Sequence, residues 1–215
     1  TWEWIIADIQ HQGQTRKVIM HMSRGGFLYV VDRTNGQLVA APAFETVNWA
    51  SAVDLKTGRP IESPQAKDFR AGKQIELWPG QWGAKNWAHA AFNPDTGLLY
   101  ANTMHNSRLV KKADPGPHKV GARYVGFDNL PAPRRAGEPI GNLDAIDPIS
   151  GKQRWRTPVM DAPSYSAVLA TKGGVLFSGK ATGEFAAYDM DSGAQLWQFK
   201  TPSGINAQPI TFTQN

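Results

Sequence analysis

The residue types that most often form metal or catalytic centres are sparse in this chain and do not stand together. The chain contains no cysteine, which excludes thiolate zinc sites, disulfides and c-type haem attachment within it. No two histidines are two or four positions apart, as the ligands of a zinc site on one strand or helix would be. The histidines are His11, His21, His89, His105 and His118. No glycine-rich loop joins a strand to a helix, so nucleotide binding has no support.

Basic residues outnumber acidic ones, with a formal net charge of +5 over 215 residues. Their densest groups are the pairs Arg16-Lys17, Lys111-Lys112 and Arg134-Arg135. Since none of these pairs recurs along a helix face, we interpret them as a solvated basic surface and expect no nucleic-acid partner. No apolar run reaches the roughly 18 residues that a membrane span needs. The first residue is Thr1 and no signal peptide is visible, so we expect a mature or excised piece of a longer protein.

Most of the secondary-structure elements that the sequence predicts, and that would position a site, are short strands. They are rich in β-branched or aromatic residues and are bounded by Gly, Asn, Asp or Pro. The segments are Arg16–Met22, Gly26–Asp32, Gly97–Asn102, Ser166–Thr171, Gly174–Gly179 and Gly183–Asp189. No amphipathic pattern of three helical turns occurs, and 21 glycines with 15 prolines argue against long helices. The sequence therefore predicts an all-β chain.

One eleven-residue phrase occurs twice, as AIDPISGKQRW from Ala145 to Trp155 and as AYDMDSGAQLW from Ala187 to Trp197. Both copies fit the pattern Ala-x-Asp-x-x-x-Gly-x-x-x-Trp. An Asp side chain accepts backbone N–H bonds within a turn, and Gly takes a positive-φ position there. The phrase therefore predicts a hairpin turn, followed by a returning strand that carries a tryptophan at a fixed place.

Weaker copies of the phrase extend the repeat along the chain. They are centred on Asp32 and Gly36, on Asp54 and Gly58, and on Asn93 and Gly97. The two full copies are 42 residues apart, and Asp54 and Asn93 are 39 apart. A period of about 40–45 residues holding four short strands is typical of a β-propeller blade. We therefore expect a β-propeller of four-stranded antiparallel blades with the repeated tryptophans between them; the alternative is that unrelated hairpins share the phrase by chance.

The length of the chain sets the number of blades. At about 42 residues a blade it has room for roughly four to five, and we interpret residues 1–215 as one partial propeller with a polar insertion at about 105–138. No segment is marked as joining two chain ends within one blade, so we expect an arc of a larger ring. An open arc exposes strand edges and blade faces, which predicts self-association.

Four longer stretches allow comparison with known families. They are FLYVVDRTNGQLV (27–39), VNWASAVDLKTGRPIE (47–62), GAKNWAHAAFNPDTGLLY (83–100) and VLATKGGVLFSGKATGEFAAYDMDSGAQLWQFKTPSGI (168–205). Together, and in this order, they resemble the quinoprotein alcohol dehydrogenases. The resemblance implies the C-terminal half of an eight-bladed propeller, without its last strands, in which the repeated phrase is the tryptophan-docking motif.

The same resemblance implies an activity and its cofactors. Members of the family are periplasmic enzymes that use pyrroloquinoline quinone (PQQ) with Ca²⁺ or a lanthanide ion. They oxidise a primary alcohol to an aldehyde by hydride transfer to PQQ, and a cytochrome c receives the electrons. We therefore expect a small-molecule alcohol as the substrate and a cytochrome as the partner.

The resemblance assigns cofactor-binding roles to three positions of this sequence. Arg24 matches the cation that contacts the reactive quinone oxygen, where negative charge develops as hydride arrives. Asn86 and Trp87 match a position that lines the quinone pocket, where an amide can bond a carboxylate and an indole can pack on a planar ring. The structural alternatives are a surface arginine at a strand end and one more tryptophan packed between blades. We interpret the similar pair Asn48-Trp49 as structural.

The chain departs from the family pattern at its start and in the floor of the pocket. The family's catalytic Asp, its metal ligands and its pair of adjacent cysteines align before Thr1, so we expect no metal ligand in this chain. Glu3 is an alternative proton acceptor, although that alignment needs a deletion. Ser164-Tyr165 stand where many relatives have a tryptophan, and Tyr165 is our candidate to replace that indole.

Two functions from different classes stay open. The first is part of a PQQ-dependent alcohol dehydrogenase, in a segment that we expect to be inactive alone. The second is a quinoprotein-like propeller scaffold without cofactor, similar to outer-membrane assembly lipoproteins, that binds other proteins. Arg24 and the Asn86-Trp87 pair favour the first function, because a scaffold needs neither at those points.

Overall fold

A computed structural model describes residues 3–160 and 165–214 of the chain. Within them the chain forms strands and one short helix, α1 (Pro64–Arg70), which starts after the N-cap Ser63. The strands are β1 (Ile5–His11), β2 (Gln14–Met22), β3 (Leu28–Asp32), β4 (Leu38–Ala40), β5 (Ala50–Val53), β6 (Pro60–Glu62), β7 (Ile75–Leu77), β8 (Ala91–Asn93), β9 (Leu98–Met104), β10 (Arg108–Lys112), β11 (Phe127–Pro131), β12 (Gly141–Ile146), β13 (Gln153–Val159), β14 (Val168–Ala170), β15 (Val175–Gly179), β16 (Glu184–Asp189) and β17 (Gln195–Lys200). The described part of the chain includes no helix with the length and apolar character to traverse a membrane.

Three sheets have four antiparallel strands each, and we name them blades 1, 2 and 3. Their strand orders are β1-β2-β3-β4, β8-β9-β12-β13 and β14-β15-β16-β17. Strand β8 contacts both β1 and β14, so the first strands of the three blades lie side by side. Sheets that meet along their first strands fan about a common axis, as the blades of a propeller do. The predicted all-β propeller fold is therefore confirmed.

The described residues also form two smaller sheets. One is the β5–β6 hairpin, and the other pairs β7 with β10 and β11. Strands β10 and β11 come from the segment between β9 and β12, which contains the expected insertion at 105–138. Among the described residues the chain thus forms five sheets, but only three of them have the four strands expected of every blade.

The turns of the repeated phrase have the geometry that the sequence predicts. Asp32, Asp147 and Asp189 each join the third strand of a blade to the fourth, and each accepts a backbone N–H through its carboxylate. The glycine four positions later donates its N–H to the carbonyl of the Asp at 2.8–2.9 Å. These glycines have φ values between +72° and +78°, a region that residues with a Cβ rarely occupy.

Two of the weaker copies do not occupy the same place in a blade, which corrects the sequence interpretation. Asn93 joins the first strand of blade 2 to its second, and Asp54 joins β5 to β6. Both make the same type of turn, with a side-chain oxygen that accepts a backbone N–H two residues later. The interval between them therefore does not measure a blade, because this turn chemistry serves any tight hairpin.

Apolar residues from facing blades fill the space between them. Blades 1 and 2 share a core of Val18, Met20, Leu28, Val30, Leu99, Ala101 and Ile146, and blades 2 and 3 share one of Tyr100, Leu143, Ala145, Val168, Leu176, Ala186 and Tyr188. Burial of each large aliphatic side chain contributes about 1.5–3 kcal/mol. The blades are therefore held together face to face rather than by their edges.

Trp155 of blade 2 packs at the boundary with blade 3. Its indole Nε1 donates to the carbonyl of Met190 at 2.8 Å, and its ring covers Gly193 so closely that a Cβ there would lie 2.5 Å from the ring. The equivalent residue of blade 3, Trp197, is 50% exposed. Blade 1 has Ala40 at this position. Pro42 of the segment after β4 contacts Gly151, the turn glycine of blade 2, where a tryptophan would otherwise pack. A contact on the turn glycine is therefore kept even where the tryptophan is missing.

Candidate functional site

The residues singled out from the sequence lie at one end of the three blades. Glu3 precedes β1, the segment 84–90 precedes β8, and Tyr165 precedes β14, and these three strands lie side by side. Arg24 lies in the turn between β2 and β3. Because β2 runs antiparallel to β1, this turn is at the same end as the start of β1. The topology therefore brings together segments that are up to about 160 residues apart in sequence.

Close packing on two glycines fixes the turn that carries Arg24. The indole Nε1 of Trp49 donates to the carbonyl of Gly25 at 2.9 Å, and a Cβ on Gly25 would be 2.9 Å from that indole. A Cβ on Gly83 would be 2.8 Å from the Cβ of Arg24. The guanidinium of Arg24 donates to the carbonyl of Gln81 and forms no salt bridge within residues 3–160 and 165–214. Its positive charge is therefore exposed and has no acidic partner among these residues.

The side chain of Asn86 is part of the loop that precedes β8. Its Nδ2 donates to the carbonyl of Trp82 at 3.0 Å, and its Oδ1 accepts the N–H of Trp87 at 3.0 Å. The N–H of Ala84 donates to the carbonyl of Arg24 at 2.9 Å, which ties this loop to the turn of blade 1. An amide nitrogen carries two protons, so one proton of Asn86 Nδ2 has no acceptor among the described residues and can donate to a ligand.

Trp87, in the segment before β8 of blade 2, and Tyr165, just before β14 of blade 3, form an aromatic stack. Their ring centroids are 4.7 Å apart with an interplanar angle of 7°, and Trp87 is 49% exposed. Burial raises the pKa of the Tyr165 hydroxyl, and the nearby charge of Arg24 opposes that shift. Arg24, Asn86, Trp87 and Tyr165 are thus one cluster. Ser164, the other residue at the position of the family's tryptophan, lies outside the described residues.

An ion pair that the sequence analysis missed lies beside this cluster. Lys85 Nζ is 2.5 Å from Glu3 Oε1, and the two side chains are 1% and 9% exposed. Burial lowers the pKa of Lys85, and the charge of Glu3 partly offsets that effect. Glu3 Oε2 is buried without a hydrogen-bond partner among the described residues. Nothing in the sequence around Lys85 signals this pair, because its partner is 82 positions away.

A second buried network joins blade 2 to the segment after β4. Arg156 binds Asp144 at 2.7 and 2.9 Å and Glu45 at 3.1 Å, and His105 Nδ1 is 3.0 Å from Glu45 Oε1. Burial raises the pKa of Asp144 in spite of Arg156. Burial also acts to raise the pKa of Glu45, but the bond to His105 and the charge of Arg156 outweigh it, so that pKa is lowered. This network contains none of the four clustered residues, and it joins β12, β13 and the segments after β4 and β9.

No group of metal-ligating side chains coincides with the cluster in the described part of the chain. Within residues 3–160 and 165–214 no three His, Asp or Glu side chains are grouped so that they could hold a metal ion. A cavity of about 280 Å³ beside the cluster shares Trp82 with the loop before β8 but is lined by none of the four clustered residues. We therefore identify the candidate site by the place where the segments that precede β1, β8 and β14 meet.

These features define a class: an arc of a β-propeller with a cationic and aromatic cluster where its first strands begin. Residues 137–215 match the family profile described as "Glucose/ethanol/alcohol dehydrogenase, beta-propeller domain". The chain is 38% identical over 217 residues to the quinohemoprotein alcohol dehydrogenase ADH IIB of Pseudomonas putida, covering 99% of this chain and 30% of that protein. It is 39% identical over 214 residues to a quinoprotein ethanol dehydrogenase of Pseudomonas aeruginosa, covering 94% and 33%.

The comparison of structures agrees. A europium-containing methanol dehydrogenase superposes with a TM-score of 0.89 and 34% identity over 98% of this chain and 37% of the other. The chain is a β-propeller segment homologous to the PQQ-dependent alcohol dehydrogenases. It spans about a third of the length of the curated relatives that it matches.

Proposed function

We propose that the chain is part of a periplasmic PQQ-dependent dehydrogenase that oxidises a primary alcohol to an aldehyde and passes the electrons to a cytochrome c. The observation that carries the proposal is the cluster of Arg24, Asn86, Trp87 and Tyr165 where the first strands of three blades begin. The similarity to quinoprotein dehydrogenases along almost the whole chain supports it.

The chemistry of the cluster fits PQQ, which is a flat ring system with carboxylates and supplies the electron-accepting quinone when bound. The Trp87 indole is half-exposed and offers a planar surface to a ring. The Arg24 guanidinium is exposed and forms no salt bridge with a described residue, so its positive charge would stabilise negative charge that develops on a quinone oxygen. The remaining Asn86 Nδ2 proton would bond a carboxylate. Tyr165, stacked on Trp87, would orient that indole in place of the tryptophan of many relatives.

The described residues do not fit a metal site, so we assign no step to Ca²⁺ or a lanthanide within them. We also place the proton acceptor for the alcohol outside them, as the family resemblance implies. Glu3 is the candidate that the chain itself offers, but Lys85 and the N–H of Ala90 both bind its Oε1. Both contacts hold Oε1 in the segment before β8, which favours a structural role for this carboxylate.

Reconstitution tests the proposal directly. The longest natural polypeptide that contains this chain is mixed with PQQ and Ca²⁺, and the quinone absorption and dye reduction by ethanol are followed. We expect the quinone absorption to shift and dye to be reduced. We expect Arg24→Ala to lower the rate on the order of a hundredfold, since a lost donor at a developing oxyanion costs about 3 kcal/mol. Lys73→Ala, at an exposed lysine, is the matched control and should act like the unaltered protein.

Two outcomes would count against the proposal. A polypeptide that contains the cluster but binds no quinone would favour the non-catalytic scaffold. Dye reduction by the isolated 215-residue chain that disappears in Glu3→Gln would show that Glu3 is the proton acceptor and that our placement of this group is wrong.

A further inference from the structure

The buried pair of Glu3 and Lys85 points to a role for a residue beside the cluster. We propose that Lys85 is a positioning residue whose ammonium group, held by Glu3, fixes the segment 84–90 so that Asn86 and Trp87 face the cofactor end of the propeller. The identity of the cofactor in this proposal rests on the proposed function. The geometric part, that the ion pair fixes the segment 84–90, follows from the contacts alone.

Every proton of the Lys85 ammonium has an acceptor in this segment or in Glu3. Nζ is 2.5 Å from Glu3 Oε1, 2.5 Å from the carbonyl of Ala88 and 3.4 Å from the carbonyl of Asn86. A lysine ammonium has three protons, so these contacts use all of them. None is left for a substrate or a cofactor, which favours positioning over a direct chemical role.

The contacts also fix the segment to all three blades. Glu3, which leads into blade 1, accepts the N–H of Ala90 at 3.2 Å as well as binding Lys85. The carbonyl of His89 accepts the N–H of Val168 at 3.0 Å, at the start of blade 3. Asn86 and Trp87 lie between these anchors. The loop that carries them therefore depends on the ion pair at its centre for a single conformation.

Both residues of the ion pair must be replaced together, so that an effect on the conformation of the segment 84–90 can be distinguished from a general loss of stability. A buried charge without its partner is costly, so a single change at Lys85 would destabilise the fold whatever the residue does. The double variant Lys85→Met/Glu3→Gln removes both charges and keeps the length of both side chains. Its Gln still offers an oxygen to the N–H of Ala90, whereas the carbonyls of Ala88 and Asn86 lose their donor.

Hydrogen–deuterium exchange of the natural full-length polypeptide tests the geometric part. We expect the amides of Ala84, Trp87 and Ala90 to exchange about tenfold or more faster in the double variant, because the loss of a charge-assisted hydrogen bond opens the segment by that order. Amides of the blade cores should be unaffected. The matched control is Lys73→Met/Asp68→Asn, an exposed pair 2.8 Å apart, which should alter neither region.

Titration with PQQ, followed by quenching of tryptophan fluorescence, tests the functional part. We expect the dissociation constant to rise about tenfold in the double variant and to stay within about twofold in the control. Glu3→Gln alone leaves the Lys85 ammonium buried without its counter-charge, and should raise both readouts at least as much as the double variant does.

Distinct results overturn the two proposals. Unchanged exchange at 84–90, or exchange that rises equally throughout the chain, would show that Lys85 has no positioning role. Faster exchange at 84–90 with unchanged PQQ affinity would show that the segment does not serve the cofactor. If the unaltered polypeptide binds no PQQ, the proposed function fails, while the exchange result still decides whether the pair holds the loop.

Discussion

Gly193 gives a quantitative test of how blades 2 and 3 pack. It has a φ of +73°, and a Cβ at this position would lie 2.5 Å from Cε3 of Trp155. The left-handed conformation costs an alanine about 1–2 kcal/mol. A methyl group pressed into a packed indole adds about 1–3 kcal/mol. We therefore expect Gly193→Ala to lower the free energy of unfolding by about 2–5 kcal/mol.

Gly58→Ala is the matched control, because it changes the same kind of turn without the neighbouring indole. Gly58 has a φ of +69°, and a Cβ added there would have no neighbouring atom within 4 Å. Only the conformational cost of about 1–2 kcal/mol applies there. In a Trp155→Ala background, the cost of Gly193→Ala should fall towards that of Gly58→Ala, because the indole is gone and the Thr157 hydroxyl, 3.0 Å from the added Cβ, is the main group that still opposes it.

Urea unfolding at neutral pH, followed by circular dichroism, measures these differences. The midpoint should fall further for Gly193→Ala than for Gly58→Ala, with an unchanged slope against urea concentration. Equal losses for the two variants, or an equal loss with and without Trp155, would refute the packing of this tryptophan between blades.

Three other features of the molecule lead to separate predictions. The pKa of Glu45 is held below its ordinary 4.5 in the folded state, so its stabilising contribution is present above that value and lost as the pH falls. The urea midpoint of the unaltered protein should therefore fall more steeply below about pH 4.5 than that of Glu45→Gln; parallel curves would contradict this. Tyr165→Phe should keep PQQ affinity within about twofold, whereas Tyr165→Ala should weaken it about fivefold through loss of the stack, as fluorescence titration would show. Equal effects of the two changes would assign the role to the hydroxyl. Trp197 and Phe199 are exposed on β17, so Trp197→Ser/Phe199→Ser should shift the isolated chain from self-associated to monomeric in sedimentation, and Leu55→Ser should not.

The fold could be predicted from the sequence because its turns depend on local chemistry. Asp147 and Gly151, or Asp189 and Gly193, are four residues apart and form their hydrogen bonds within the turn itself. Short strands between such turns leave few alternatives to a repeated antiparallel sheet. The number of blades was harder to infer, because the same turn at Asp54 lies outside the four-stranded sheets.

The candidate site could be predicted only in part. Arg24, Asn86, Trp87 and Tyr165 were selected from the family resemblance, and the fold brings all four together. The partner of Lys85 was not predictable, since no rule of spacing connects it to Glu3 across blades 1 and 2. Such contacts depend on which blade ends meet at the axis, and that is a property of the assembled propeller rather than of any one segment.

The most direct test of the central claim is a structure of the natural full-length polypeptide with PQQ bound. We expect the quinone ring to lie against Trp87, with the guanidinium of Arg24 within hydrogen-bonding distance of a quinone oxygen. A PQQ molecule bound elsewhere, with Arg24 and Trp87 still free, would contradict the assignment of this end of the propeller to the cofactor.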